Sequence, residues 1–463
     1  MADNSGSSPP EAAYTMFRDV ACDHSSLSFT TSTHAGTVGY RQPTAQQRAT
    51  ASGKKKNAGP LRDESFPAPM VLPGDDLSFD PAAPPQSLLS WVREKARNKL
   101  TLERNVLYVA GPPEVAANVP WVRRWSVPQQ VEKVGQASLT QPVVQDVMRY
   151  LAAFYHGMRV KLLPPGDLRF TKWDTSKPKE NSGFIGLSTT TESIGIRFRT
   201  SPDGIFQGQL NLDDLLDTAI SILPDDAYAL LMLVEQDLFE DEDDDFCCGR
   251  AYGGSRVAVV SMARYNPNLD ERQHVERKHS WPASHCEAYM RACCGEPPTA
   301  RDDSNISKIQ EGGAHKSPLQ AALAANTTAL LKQPPTNPTL LSDRWLSRVC
   351  QTASHELGHC FGIDHCVYYA CVMQSTASLA EDVRQPPYLC PVDLAKVLRA
   401  TGADVRDRYA ALRGFCRDSD APMFAAFEAW LGARVAEVGG GGDGGWERSD
   451  GAGMGSENMP VEV

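Results

Sequence analysis

Residues 355–365 read His355-Glu356-Leu357-Gly358-His359-Cys360-Phe361-Gly362-Ile363-Asp364-His365, and their spacing determines the reading of the whole chain. Side chains four apart on an α-helix share one face, one turn above the other, so His355 and His359 can aim imidazole nitrogens at one ion. Glu356 is displaced by about 100° around the helix axis. It flanks such an ion rather than binding it, where a carboxylate can hydrogen-bond a metal-held water. Gly362 permits the left-handed turn that ends a helix, after which the chain can swing back and offer His365 as a third ligand. Three histidines leave the fourth position on zinc to water, the arrangement of a catalytic rather than a structural site. Zinc lowers the pKa of that water to about 7, and Glu356 is placed to take its proton and later return one to a leaving amine. Paired histidines also occur on the solvated face of ordinary helices. Gly362 and His365, at the offsets a third ligand requires, argue against that reading here.

Upstream of the motif, Leu341, Trp345, Val349 and Ala353 recur every four residues, so one helix runs directly into the histidines. Downstream, Cys366 follows His365 immediately, Cys371 lies five residues on, and Leu389-Cys390-Pro391-Val392-Asp393 follows. Together with Met373 these residues resemble the archaemetzincin family. Its pattern extends HExxHxxGxxH by a Cys, a second Cys after four intervening residues, a nearby Met, and a final CxxC. The resemblance implies that Met373 lies in a turn beneath the three-histidine site, as in the metzincins, and that the cysteines hold a second, structural zinc. The pattern departs at one position, where Asp393 stands in place of the last Cys. Three arrangements remain open: Asp393 as the fourth ligand beside Cys366, Cys371 and Cys390, which we favour; a distant thiol such as Cys416 reaching in; or a weak or empty site. Resemblance extends upstream through residues 153–165 and to residues 237–239 and 261–265, covering roughly residues 100–435.

What the resemblance implies for function is a zinc metallopeptidase, a hydrolase acting on peptide or protein substrates inside the cell, with aminopeptidase character. The alternative is a zinc-containing peptide-binding or scaffold protein with little turnover. In metzincins a sheet edge lines the cleft and can pair with a peptide backbone. Residues 256–262 are the candidate edge strand, and Tyr388 and Tyr368 are candidate oxyanion donors by proximity, although both residue types more often serve packing.

The remaining sequence suits an α/β fold, a metzincin-like domain with a twisted mixed sheet, an active-site helix and a C-terminal helical part. Apolar runs at 106–109, 158–163, 194–198, 227–234 and 256–262 read as strands. Helices are expected from residue 88, over 141–156, after the capping residue Asn211, and over 423–438. Residues 1–85, rich in Ser, Thr, Ala, Gly and Pro, are expected to be disordered, as is the Gly-rich tail 439–463. The domain then spans 86–438, with a flexible insertion at about 267–336. Residues 240–245 are six consecutive carboxylates, spaced wrongly for an EF-hand and better suited to a self-repelling surface loop.

The 463 residues, 41% hydrophobic, can bury a sizeable core. A balance of 46 basic against 57 acidic residues, net −11, argues against a general nucleic-acid binder. No secretory signal is visible and no apolar run is long enough to cross a bilayer. The expectation is therefore a monomer without membrane or nucleic-acid partners, in the cytoplasm. The three lysines at 54–56 leave a nuclear address open but read first as a solvated cluster. Twelve cysteines in such a setting point to metal before disulfides. Those outside the motif, including the adjacent pairs Cys247–Cys248 and Cys293–Cys294, read as small buried hydrophobes or bystanders.

Overall fold

The computed structural model describes residues 22, 24, 26–54, 63–129, 138–164, 168–173, 183–297, 317–332, 336–419 and 421–439. Eleven strands are present among them: β1 (Val106–Ala110), β2 (Glu114–Val115), β3 (Arg159–Leu162), β4 (Arg169–Thr171), β5 (Phe184–Ser188), β6 (Ser193–Arg199), β7 (Gln209–Asn211), β8 (Ala227–Val234), β9 (Asp237–Phe239), β10 (Gly249–Tyr252) and β11 (Val257–Ser261). The helices used below are α1 (Thr33–Val38), α2 (Ala45–Ala51), α3 (Asp76–Phe79), α4 (Leu88–Arg93), α5 (Val144–Phe154), α6 (Leu212–Ser221), α7 (Glu287–Cys293), α8 (Pro318–Lys332), α9 (Pro338–Cys360), α10 (Leu379–Asp382), α11 (Pro391–Thr401), α12 (Val405–Arg417) and α13 (Pro422–Gly439). Among the described residues no helix is long and apolar enough to cross a membrane.

The main sheet has the order β10-β11-β8-β1-β3. Its pairs are parallel except β10 with β11. Parallel strands are covered on both faces and so read as unbroken apolar runs. β8 is the clearest case, with all eight residues buried. Alternate side chains point to opposite faces. Leu231 and Leu233 therefore join the core shared with α5 and α9, while Leu230, Met232 and Val234 join a second core with α6. The Asn211 side chain caps α6 by accepting from the Asp214 amide. A second sheet, β2-β4-β5-β6-β7-β9, packs beyond that second core. The mixed α/β architecture expected from the sequence is present.

Three expectations differ from the structure. First, much of the stretch 1–85 is ordered. Residues 26–54 and 63–85 carry α1, α2 and α3, and Phe66, Ala68, Val71 and Leu77 are buried. The segment is strapped across the C-terminal half. Ala370 N donates to Pro67 O at 2.9 Å and Tyr40 Oη to Val367 O at 2.7 Å. The Phe66 ring meets Tyr369, Tyr388 and Trp430 edge-on. Low overall hydropathy concealed single, well-spaced anchors that find their pockets elsewhere in the chain. Residues 1–21 and 55–62 lie outside the described set, as does the tail from 440.

The strap is also held by an ion pair, Arg384 with Asp75, whose side chains are 9% and 3% exposed. Removing one partner of a buried pair leaves an uncompensated charge and costs about 3–5 kcal/mol. Asp75→Ala is expected to lower unfolding free energy by about that much in urea denaturation; an unchanged midpoint would remove the pair from the strap.

Second, the proposed flexible insertion is built into the fold in its described parts. Trp281 is buried, its amide donates to Val383 O at 2.8 Å, α7 follows, and α8 places Leu319 and Ala322 in the main core. Irregular backbone carries no periodicity, which is why the stretch reads as loop. Residues 298–316 and 333–335 lie outside the described set. Third, the strand over 256–262 is not an edge: the main sheet ends in β10 on that side and in β3 on the other. β11 lies between β10 and β8, as its five buried residues require.

Candidate metal centre

α9 begins at Pro338, capped by the Asn337 side chain, and runs 23 residues to Cys360. It closes with Gly362 at φ +71. Gly362 N donates to His359 O at 2.8 Å and Ile363 N to Gly358 O at 3.1 Å, the two bonds of a Schellman ending. Gln86 holds the turn from outside: its Nε2 donates to Gly362 O at 2.9 Å, and its Oε1 accepts from the Asp364 amide at 3.2 Å. The reversal brings His365 back over the helix face carrying His355 and His359.

The structure gathers the three histidines into one cluster, with candidate ligand atoms within 4.8 Å of one another. His355 Nδ1 lies 2.7 Å from Val372 O and His359 Nδ1 lies 2.7 Å from Ile363 O. A carbonyl can only accept, so both Nδ1 atoms carry the proton and both Nε2 atoms present lone pairs. Those Nε2 atoms face each other at 3.1 Å. Two acceptors at this distance repel unless a cation lies between them. An edge of a tetrahedral zinc site with Zn–N near 2.0–2.1 Å is about 3.3 Å, so the residues fit zinc. His355 is held well below the ordinary imidazole range by burial, then by His359 and His365, which keeps it in the neutral, metal-binding form. His365 closes the cluster on its exposed side.

Glu356 is 8% exposed. Burial pushes its carboxyl up to about 8, with Asp382 adding to the rise and Arg250 opposing it. Met373 is fully buried beneath the helix. A Cβ on Gly358 would overlap its sulfur, so a glycine there is what lets helix and Met-bearing turn approach. Gly253, just after β10, meets the same helix: a Cβ would overlap the His359 carbonyl oxygen, whereas Gly254 has open space. Overpacking of this kind costs about 1–3 kcal/mol. Gly253→Ala is expected to lower thermal stability and weaken zinc retention in competition with a chelator, with Gly254→Ala near wild type. Equal behaviour of the two variants would contradict the contact.

Cys366, Cys371, Cys390 and Asp393 form a second, fully buried cluster. Cys366 Sγ and Cys390 Sγ are 3.5 Å apart, and Asp393 Oδ2 is 3.4 Å from the sulfurs of Cys371 and Cys390. Tetrahedral edges for zinc with thiolate and carboxylate ligands are about 3.6–3.8 Å, close to this spacing. Cys390 stands at the N-cap position of α11 and Asp393 lies in its first turn, where negative charge is favoured. Burial pushes the Asp393 carboxyl up to about 7, Cys366 adds to this, and Lys396 opposes it. Lys396 is itself buried and donates to Asp393 Oδ1 at 2.8 Å and to Gln86 Oε1 at 2.8 Å. Cys416 lies in α12 outside the cluster, so the distant-thiol arrangement is not the one adopted. Sequence reasoning missed Gln86 and Lys396, which link the two clusters through the turn before His365.

Other candidates fall elsewhere. Tyr388 stacks on Trp430 with ring centroids 4.1 Å apart and serves the core; Tyr368 is buried as well. The acidic loop is tied to β10 by contact of Glu240 with Arg250, and Arg199 donates to the carbonyls of Asp241 and Glu242. A cavity of 540 Å³ between residues 72–75 and 270–278 has none of the three histidines in its lining.

An α/β fold here carries a His-Glu-x-x-His helix, a returning third histidine and a methionine beneath, an arrangement suited to a metal ion. Residues 333–399 match the model of peptidase family M54. Archaemetzincin-2 of Homo sapiens is 24% identical over 63% of this chain and 65% of its own length. Archaemetzincin-1 of Rattus norvegicus is 26% identical over 64% of this chain and 45% of its own. The archaemetzincin structure from Methanopyrus kandleri covers 66% of this chain and 99% of that one, with 16% identity and a TM-score of 0.30. The chain is similar in sequence to the archaemetzincins. It spans less than two thirds of the length of the archaemetzincin-2 relatives it matches.

Proposed function

We propose that the chain is a zinc-dependent metallopeptidase in which His355, His359 and His365 hold the catalytic ion. The observation that carries this is the pair of Nε2 lone pairs facing each other at 3.1 Å, each imidazole fixed by an Nδ1–H bond to a backbone carbonyl. Bound zinc would supply a water of pKa near 7 and a Lewis acid for the scissile carbonyl. Glu356 takes a proton from the water and hands one to the departing amine. The buried surroundings of Glu356 make proton return easier than for a solvated carboxylate. β10, an edge strand, offers its backbone to an extended peptide. In the second cluster, Cys366, Cys371, Cys390 and Asp393 hold a structural zinc that fixes the Met373 turn and α11 against α9.

The test is incubation of zinc-loaded protein with a defined peptide mixture, reading new termini by mass spectrometry with and without a chelator. Zinc-dependent cleavage is the expected result. Bound zinc at the three histidines with no turnover of any peptide would overturn the peptidase reading in favour of a peptide-binding protein.

A further inference from the structure

A third group of metal-type ligands lies far from both clusters in sequence and outside the family-matched residues 333–399. Cys22, His24 and His279 offer ligand atoms within 4.8 Å of one another. The Cys286 sulfur is in contact with that of Cys22, a pairing that reads as a disulfide. We propose instead that Cys22, His24, His279 and Cys286 form a structural zinc site of the Cys2His2 class.

His279 carries the argument. It is 1% exposed, and its Nδ1 lies 2.6 Å from Glu276 Oε2. A ligating histidine characteristically donates its other ring N–H to a carboxylate, which fixes the tautomer and frees Nε2 for the metal. His279 Nε2 is buried and has no hydrogen-bond partner among the described residues. Leaving such an acceptor buried and unsatisfied is costly, and a metal bond would remove that cost. Its ring is clamped by stacking on Tyr289, centroids 4.1 Å apart, and meets the His24 ring edge-on at 5.1 Å.

The two sulfurs fit the same reading. The Cα atoms of Cys22 and Cys286 are 7.8 Å apart, beyond the roughly 4.4–6.8 Å that disulfides span. Two thiolates on one zinc need their sulfurs only about 3.8 Å apart, which relaxes the demand on the backbone. The backbone prepares the site: Ser28 N donates to His285 O at 2.8 Å and Glu287 N to Ser26 O at 3.0 Å, so the N-terminal segment runs antiparallel to the strand of chain holding Cys286. The donor set, two thiols and two imidazoles, is one zinc takes in structural sites. The ion would fasten the start of the strap to the segment that ends in α7.

The test uses the full chain purified without added oxidant. Native alkylation with N-ethylmaleimide, mapped by peptide mass spectrometry, is run before and after zinc chelation. Cys22 and Cys286 are expected as free thiols, protected until zinc is removed. Zinc content is compared in wild type, His279→Gln, Cys286→Ser and Cys294→Ser. The first two variants are expected to carry one zinc fewer than wild type, however many other sites are filled, and Cys294→Ser the same number. A Cys22–Cys286 cross-linked peptide, alkylation of both thiols without chelation, or unchanged zinc in both ligand variants would each overturn the proposal. The wild-type alkylation result stands even if a variant fails to fold.

Discussion

Replacing Glu356 by Gln is expected to lower the rate of peptide hydrolysis by about 10²–10⁴-fold, the range a positioned general acid–base contributes, with zinc content at the three histidines unchanged. Gln keeps the shape of a side chain that is 8% exposed and lies on the helix face beside, not within, the ligand set. It removes only the ability to accept a proton. The measurements are kcat/KM on a cleaved peptide and zinc by elemental analysis. An unchanged rate would remove Glu356 from the proton transfer; a loss of zinc would show that it supports the metal rather than the water.

Asp393→Ala is expected to lose one zinc per chain and to destabilise the fold by about 3–5 kcal/mol. Both effects come from one carboxylate used twice: Oδ2 lies among the sulfurs while Oδ1 accepts from Lys396. Without it, the buried ammonium of Lys396 keeps only Gln86. Asp393→Cys separates the two roles, since a thiolate can fill the metal position but cannot also reach Lys396 with a second oxygen. It is expected to keep the zinc and lose part of the stability. Equal zinc content in wild type and Asp393→Ala would remove Asp393 from the ligand set.

The clustering of the three histidines was legible because its determinants are local: two histidines four apart on one helix, a glycine to end it, and the third histidine three residues beyond that glycine. The same holds for α5, α6, β1, β3 and β8, whose periodicity is complete within one segment. Strand order was not legible, because pairing β11 between β8 and β10 is settled by long-range contacts, and a run of buried residues reads the same at an edge or inside a sheet. Most strands of the second sheet are too short to show alternation. Gln86 and Lys396 could not be found from spacing: Gln86 bonds Gly362 across 276 residues and Lys396 across 310. A polar residue at a composition boundary carries no mark of such partners.

The strap across the C-terminal half has a consequence for how the protein is made. Asp75 waits for Arg384, 309 residues later, and Ser65 for Glu437, 372 residues later. At a synthesis rate of ~5–20 residues per second, the N-terminal segment leaves the ribosome roughly 15–75 s before its partners exist. Its single apolar anchors, set in Ser, Thr and Pro, give a nascent chain little to aggregate with during that interval. The composition that looks like disorder is what a segment needs when it emerges first and docks last.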